Sequence, residues 1–138
     1  MKKNAQIGIE YMIIVGFVTM AIMLILAFSF VYSNQIKDRI KLNQAENFAI
    51  QLINSAESVF FAGEPSKTTA SLYLPDGVEE IYFSSNAFII STRVSSGVNR
   101  RSYSSKVSIQ NTTTINTNEG IKKLVLEARA NHVDVSSA

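Results

Sequence analysis

The sequence predicts an α+β fold, in which a small C-terminal antiparallel β-sheet packs on the second half of one long N-terminal helix. Three patterns predict it. Residues 12–32 are apolar without a charge or proline, residues 36–60 repeat apolar side chains at helical spacing, and short alternating runs follow residue 69. The predicted segments are a basic leader (1–5), an apolar helix (6–33), its amphipathic continuation (34–62) and a β-rich head (63–138).

Composition restricts the classes of function. The chain has 138 residues, a formal net charge of +2 and no cysteine. Disulfides and thiolate metal sites are therefore excluded. The basic residues are scattered, and the pair Arg100-Arg101 is too short to follow a phosphate backbone. We expect no nucleic-acid partner.

The apolar run from Met12 to Tyr32 predicts a membrane-spanning helix. About twenty such residues, each rising about 1.5 Å, cross the hydrocarbon core of a bilayer. Lys2 and Lys3 precede the run without an acidic residue among them. The positive-inside rule then predicts a cytoplasmic N-terminus and an external C-terminal part.

Two conventional interpretations of this run compete. A cleaved secretory signal has a shorter apolar region followed by a small-residue cleavage site, and "SFVYSNQ" (residues 29–35) contains no clear site of that kind. A signal anchor that holds an external domain on the membrane fits the length of the run. The anchor interpretation therefore stays open, although it gives no specific role to Glu10.

Glu10 lies at the start of the apolar run, where an isolated charge costs free energy unless it snorkels or is paired. The leader "MKKNA" is followed directly by "QIGIEY". This arrangement resembles the class III (Gln-x-Ser-x-Glu-Tyr type) signal of archaeal type IV pilin-like proteins. Gln6, Glu10 and Tyr11 match the motif, Gly8 stands at the serine position, and Ala5 stands where such leaders often have glycine.

The resemblance implies a pilin-like subunit whose leader, with its charges Lys2 and Lys3, is removed by a prepilin peptidase between Ala5 and Gln6. It implies that the apolar helix first lies in membrane lipid and then packs with copies of itself in a surface filament. A membrane-bound assembly ATPase system and a role in adhesion are further implications. Physical chemistry adds that the new amine of Gln6 can pair with Glu10, one helical turn later.

The helical pattern continues beyond the apolar run. Gly63 is a suitable C-cap and no proline precedes it, so we predict one nearly continuous helix from Gln6 to Ala62. Apolar residues at spacings of three and four predict a stripe that faces the head. The stripe comprises Ile36, Ile40, Ala45, Phe48, Ala49, Leu52, Ile53, Ala56, Val59 and Phe60.

The head is predicted to begin after a turn at residues 63–69. Leu72 and Leu74 share one face of a first strand, and Asp76-Gly77 predicts a tight turn. The next run places Val78, Glu80 and Tyr82 on one face and Glu79, Ile81 and Phe83 on the other. The remaining predictions are a turn at 85–86, a strand over 87–94, a turn at 95–101, a strand over 102–110 with Val107 and Ile109 on one face, a polar turn at 111–120, and a hairpin over 121–135 that reverses near Ala130-Asn131.

No set of residues predicts catalysis, so we expect no enzymatic activity, metal or cofactor. His132 is the only histidine, and no serine has a G-x-S-x-G context. Asp76, Glu79 and Glu80 do not have the spacing of a cation-binding loop, and solvated strand charges explain them better. Asn111 begins an N-x-[ST] sequon in a polar segment, which makes it a candidate for N-glycosylation if the head lies outside the cell.

Other classes of protein stay open. The chain could be a single-pass, membrane-anchored binding domain that never polymerises, or a minor pilin that primes or tips a filament. A small membrane-anchored hydrolase has only unassigned serine and glutamate side chains in its favour. An archaellin fits less well because the motif beginning at Gln6 resembles the pilin class more closely.

Overall fold

The computed structural model describes the backbone of residues 2–138 and the side chains of residues 7–138. Helix α1 runs from Lys2 to Ala62, so it begins before the predicted start at Gln6 and ends at the predicted residue. The chain divides into two compact units, Met1–Lys37 and Asp38–Ala138. The second unit contains the last part of α1 and the whole β-rich head.

The amphipathic part of α1 supplies one wall of the hydrophobic core. Ile36 and Ile40 were predicted on the buried stripe, but 49% and 50% of their surfaces are exposed. The stripe is therefore buried only from Ala45 onward. At its end, Gly63 has a φ of +80° and its amide donates to the carbonyl of Phe60 over 3.0 Å, which confirms the predicted C-cap. The buried stripe residues are Ala45, Phe48, Ala49, Leu52, Ile53, Ala56 and Val59.

The head, described in full over residues 63–138, forms two sheets. One contains four strands in the order β1-β6-β7-β5, and the other contains three in the order β2-β3-β4. All pairings are antiparallel except that of β5 with β7. The strands are β1 (Lys67–Leu74), β2 (Val78–Ser84), β3 (Ala87–Val94), β4 (Gly97–Ser104), β5 (Ile109–Asn111), β6 (Gly120–Ala128) and β7 (Val133–Ser137).

Most local turns lie where the sequence predicts them. Ser85-Asn86 links β2 to β3, and the β6–β7 hairpin closes with the amide of Arg129 donating to the carbonyl of His132 over 2.9 Å. The single strand predicted over 102–110 is wrong, since β4 ends at Ser104 and β5 begins at Ile109. Two turn predictions were too long. Strand β1 already begins at Lys67, and β4 begins at Gly97, because pairing with β6 and β3 extends both strands into polar sequence.

A β-bulge corrects the predicted faces of β2. Val78 pairs with Thr92 and Glu80 pairs with Ser91, so Glu79 is an extra residue on its strand. Val78 is 6% exposed and belongs to the core, whereas Glu80 and Tyr82 face outward. The extra residue breaks the alternation that would otherwise place all three on one face.

The core lies where the last part of α1 meets both sheets. The ring of Phe48 on α1 lies 6.1 Å from that of Phe88 on β3, which in turn packs edge-on against Phe83 at 5.1 Å. Leu74, Leu126 and Val135 of the four-stranded sheet are fully buried in the same cluster. The predicted fold class, a long N-terminal helix packed against a small, mainly antiparallel head in a pilin-like layout, is confirmed.

Candidate functional site

The apolar segment of α1, residues 7–32, is the strongest candidate for a functional surface. Its large apolar side chains are exposed on every side of the helix, from 44% at Val15 to 77% at Met12. Among the described residues, one helix, α1, is long and apolar enough to span a membrane. The apolar segment supplies that length and composition. Soluble monomers rarely expose a contiguous apolar surface of this extent.

Two features of the segment suit an apolar environment. Thr19 Oγ1 donates to the carbonyl of Val15 over 2.7 Å, so the hydroxyl needs no water. A Cβ added at Gly8 or Gly16 would meet nothing within 4 Å among the described residues. The two glycines therefore leave surface that other helices can approach closely.

Two residues of the signal motif, Glu10 and Tyr11, have side chains that the structure describes. Glu10 and Tyr11 are exposed on α1, and Tyr11 retains 69% of its accessible surface. The side chains of Lys2, Lys3, Ala5 and Gln6 lie outside the described residues. The backbone of the motif, residues 6–11, is therefore continuous along one helix.

Asn111, the glycosylation candidate, is exposed at the end of β5. Its Oδ1 accepts from the backbone amide of Thr113 over 3.2 Å, and the hydroxyl of Thr112 donates to the carbonyl of Val135 over 3.1 Å. The sequon thus begins on the rim of the four-stranded sheet. A glycan on Asn111 would extend into solvent without displacing a core residue.

The three acidic residues that were candidates for a cation site each form an ion pair with a basic side chain. Asp76 pairs with Lys41, Glu79 with Arg93, and Glu80 with Arg100. No group of three or more potential metal ligands converges within residues 7–138.

His132 lies in the β6–β7 hairpin. Its Nε2 lies 3.2 Å from Asp134 Oδ1, beside the ion pair between Arg129 and Asp134. A structural role in this hairpin accounts for the histidine.

The structure also assembles a group that the sequence did not single out. Cross-strand pairing brings side chains of β2, β3 and β4 together on the outer face of their sheet: Glu80, Tyr82, Ile89, Ser91 and Arg100. The available signal was Tyr82, which points to the opposite face of β2 from the apolar residues Ile81 and Phe83. Without the register of three strands, that signal could not be connected to Arg100.

The comparisons with known proteins give no family. No protein-family model matches the chain, and no curated protein or solved structure is significantly similar to it.

Proposed function

We propose that the chain is the precursor of a structural subunit of an archaeal type IV pilus-like filament. The observation that supports this most is the exposure of the large side chains of the apolar segment, residues 7–32, which begins within a pilin-like motif. The last part of α1 already buries its apolar stripe against the head from Ala45 onward. The exposed segment therefore requires another apolar environment, first lipid and then the helices of other subunits.

The exchange of lipid for neighbouring helices is physically reasonable. Lipid tails and apolar side chains are similar solvents, so the transfer changes the hydrophobic free energy little, and close packing decides the outcome. Identical subunits related by an operation that does not close form a helical filament. In this filament the apolar segments form the core and the heads form the surface.

Glu10 has a specific role in this proposal. Cleavage between Ala5 and Gln6 creates a cationic amine at the start of the helix, one turn from the carboxylate. Pairing with its own amine or that of a neighbour lowers the cost of burying either charge in an apolar core. A carboxylate in the first turn also interacts favourably with the helix dipole.

The remaining proposals concern processing and location. The precursor lies in the cell membrane with a cytoplasmic N-terminus and an external head, and a prepilin peptidase removes residues 1–5. A membrane assembly ATPase system then drives polymerisation, and the extracellular filament serves adhesion. Asn111 carries a glycan on the head.

Glu10→Gln tests the assembly role of the carboxylate, because it removes the charge and keeps the size of the side chain. We expect the filament yield from sheared cells to fall at least tenfold, with the precursor still in the membrane fraction. The matched control is Glu64→Gln, an exposed carboxylate just beyond α1. Normal filaments from Glu10→Gln would contradict the proposed pairing.

A membrane-anchored binding domain is the alternative. It would keep the exposed segment in lipid permanently, so neither wild type nor variant would form filaments. Electron microscopy of sheared surface material distinguishes this outcome from filament assembly. A minor pilin would be processed and appear in filaments at a small fraction of the total subunits.

A further inference from the structure

The outer face of the β2–β3–β4 sheet carries a pocket of about 260 Å³. We call it the outer-face pocket, and it is lined by Glu80, Tyr82, Ile89, Ser91 and Arg100. The core lies on the opposite face of this sheet, where Phe88 and Ile90 are buried. The pocket therefore opens to solvent on a surface that the fold itself does not cover.

The pocket consists of two rows that cross the strands. Glu80, Ser91 and Arg100 are direct cross-strand neighbours and form a polar row. Tyr82 and Ile89 are neighbours in the next outward-facing row. A hydrogen-bonding row thus lies beside an apolar one, two residues further along each strand.

The polar row is held in place by contacts within the pocket. Arg100 Nη2 lies 3.1 Å from Glu80 Oε2, and Arg100 Nε donates to Ser91 Oγ over 3.2 Å. Ser91 is only 3% exposed, so it fixes the guanidinium from below. These contacts use two of the five guanidinium N–H donors, and the carboxylate of Glu80 retains acceptor capacity.

The bulge in β2 lies beside this arrangement. Glu79, the extra residue of the bulge, pairs with Arg93, while its neighbour Glu80 pairs with Arg100. Each arginine therefore has its own carboxylate. Bulges recur at sites where a strand must redirect a side chain.

The apolar row exposes an aromatic ring that the fold does not use. Ile81 and Phe83, on either side of Tyr82, pack against the core, whereas Tyr82 keeps 63% of its surface exposed. Ile89 beside it is half-buried. An exposed ring next to fixed charged groups is the composition of a surface that recognises an amphipathic ligand.

We propose that the outer-face pocket binds one pyranose unit of a carbohydrate. The C–H face of a sugar ring packs on the ring of Tyr82 and on Ile89, while adjacent hydroxyls accept from Arg100 and donate to Glu80. The pocket is smaller than the roughly 300–1,000 Å³ of sites for drug-sized ligands, which suits a single ring. Because Glu80 neutralises Arg100, the pocket favours a neutral ligand over a phosphate or carboxylate.

The test uses the full chain in detergent micelles whose headgroups contain no sugar. The probes are the methyl glycosides of glucose, galactose, mannose and N-acetylglucosamine, and saturation-transfer NMR measures their binding. We expect at least one of them to bind. Tyr82→Ala should weaken its apparent affinity at least tenfold, and Tyr82→Phe, which keeps the ring, should retain most of it.

Tyr73→Ala is the matched control, since Tyr73 is an exposed tyrosine outside the pocket, where its hydroxyl donates a hydrogen bond to Glu119. It should leave the affinity unchanged, while Glu80→Gln and Arg100→Gln should each weaken it at least threefold. The thermal midpoint of each variant establishes that the head remains folded.

Three results would overturn the proposal: no binding of any glycoside, equal binding by Tyr82→Ala, or displacement of the glycoside by inorganic phosphate. The binding test uses single subunits in detergent micelles. Its result therefore does not depend on whether the chain assembles into filaments.

Discussion

Lys41 Nζ on helix α1 lies 2.8 Å from Asp76 Oδ2 in the turn that joins the two sheets. Close by on the same helix, Asp38 Oδ2 accepts from the backbone amide of Ser95 in the β3–β4 turn over 3.0 Å. These two polar contacts attach the helix to two separate turns of the head. These polar contacts lie before the apolar contacts of α1 with the head, because the first core residue of the helix is Ala45.

The Lys41–Asp76 pair predicts a pH dependence of stability. The hydrogen bond to Lys41 lowers the pKa of Asp76, and the same bond raises the pKa of Lys41. The Asp76 contribution is therefore present above its unfolded pKa of about 3.9 and is lost as the pH falls through the lower folded value. The Lys41 contribution is present below about pH 10.4 and is lost as the pH rises through the higher folded value.

The measurement is the thermal midpoint of the head in wild type and Asp76→Asn from pH 2 to pH 12. We expect a small difference in thermal midpoint at pH 7, since solvent reaches both partners and screens the pair. The difference should disappear at both extremes, because Asp76 loses its charge at low pH and Lys41 loses its charge at high pH. Glu64→Gln serves as the control for loss of one surface charge. A difference between wild type and Asp76→Asn that stays constant over this range would contradict the assignment.

Phe48→Ala should strongly destabilise the head. The ring is 1% exposed and joins α1 to β3 through Phe88, so truncation leaves a cavity and costs about 3–5 kcal/mol. Ile50, 42% exposed and two residues away on α1, is the control. Ile50→Ala should change the free energy of unfolding in urea by less than about 1 kcal/mol. Equal effects of the two variants would show that the helix does not pack as described.

Gly77→Ala should cost more stability than Gly63→Ala. Both glycines have positive φ, +85° and +80°, which costs a residue with a Cβ about 1–2 kcal/mol. At Gly77 the added Cβ would also lie 3.1 Å from the carbonyl oxygen of Arg93, whereas at Gly63 it would meet nothing within 4 Å. Urea unfolding of both variants measures the difference. A smaller loss at Gly77 would contradict the close approach of the Asp76-Gly77 turn to β3.

The sequon predicts an added mass on the peptide that contains Asn111, in protein purified from its native host. Asn111→Gln and Thr113→Val should both remove the mass, because each destroys the acceptor pattern. Thr112→Ala is the matched control: it changes the middle position and should retain the mass. A wild-type peptide without added mass would contradict glycosylation of Asn111.

Local features of the fold could be predicted, whereas long-range features could not. The C-cap signal at Gly63 located the end of α1 at Ala62, and alternation located the inward faces of Leu72 and Leu74, since capping and periodicity are local. The pairing of β1 with β6, and the bulge at Glu79, depend on how distant strands fit over the helix. No local pattern contains that information.

The same distinction applies to the candidate sites. The signal motif around Glu10 is contiguous in sequence and could be found without a structure. The outer-face pocket required the register of three strands, because Glu80 on β2 and Arg100 on β4 come together only when both strands pair with β3 at Ser91.

The N-terminus of the mature protein tests the central proposal most directly. Mass spectrometry of subunits from sheared cell-surface material should identify a chain that begins at Gln6, with residues 1–5 absent. An intact chain beginning at Met1, or one cut after Tyr32, would contradict processing before the apolar helix and with it the filament subunit proposed here.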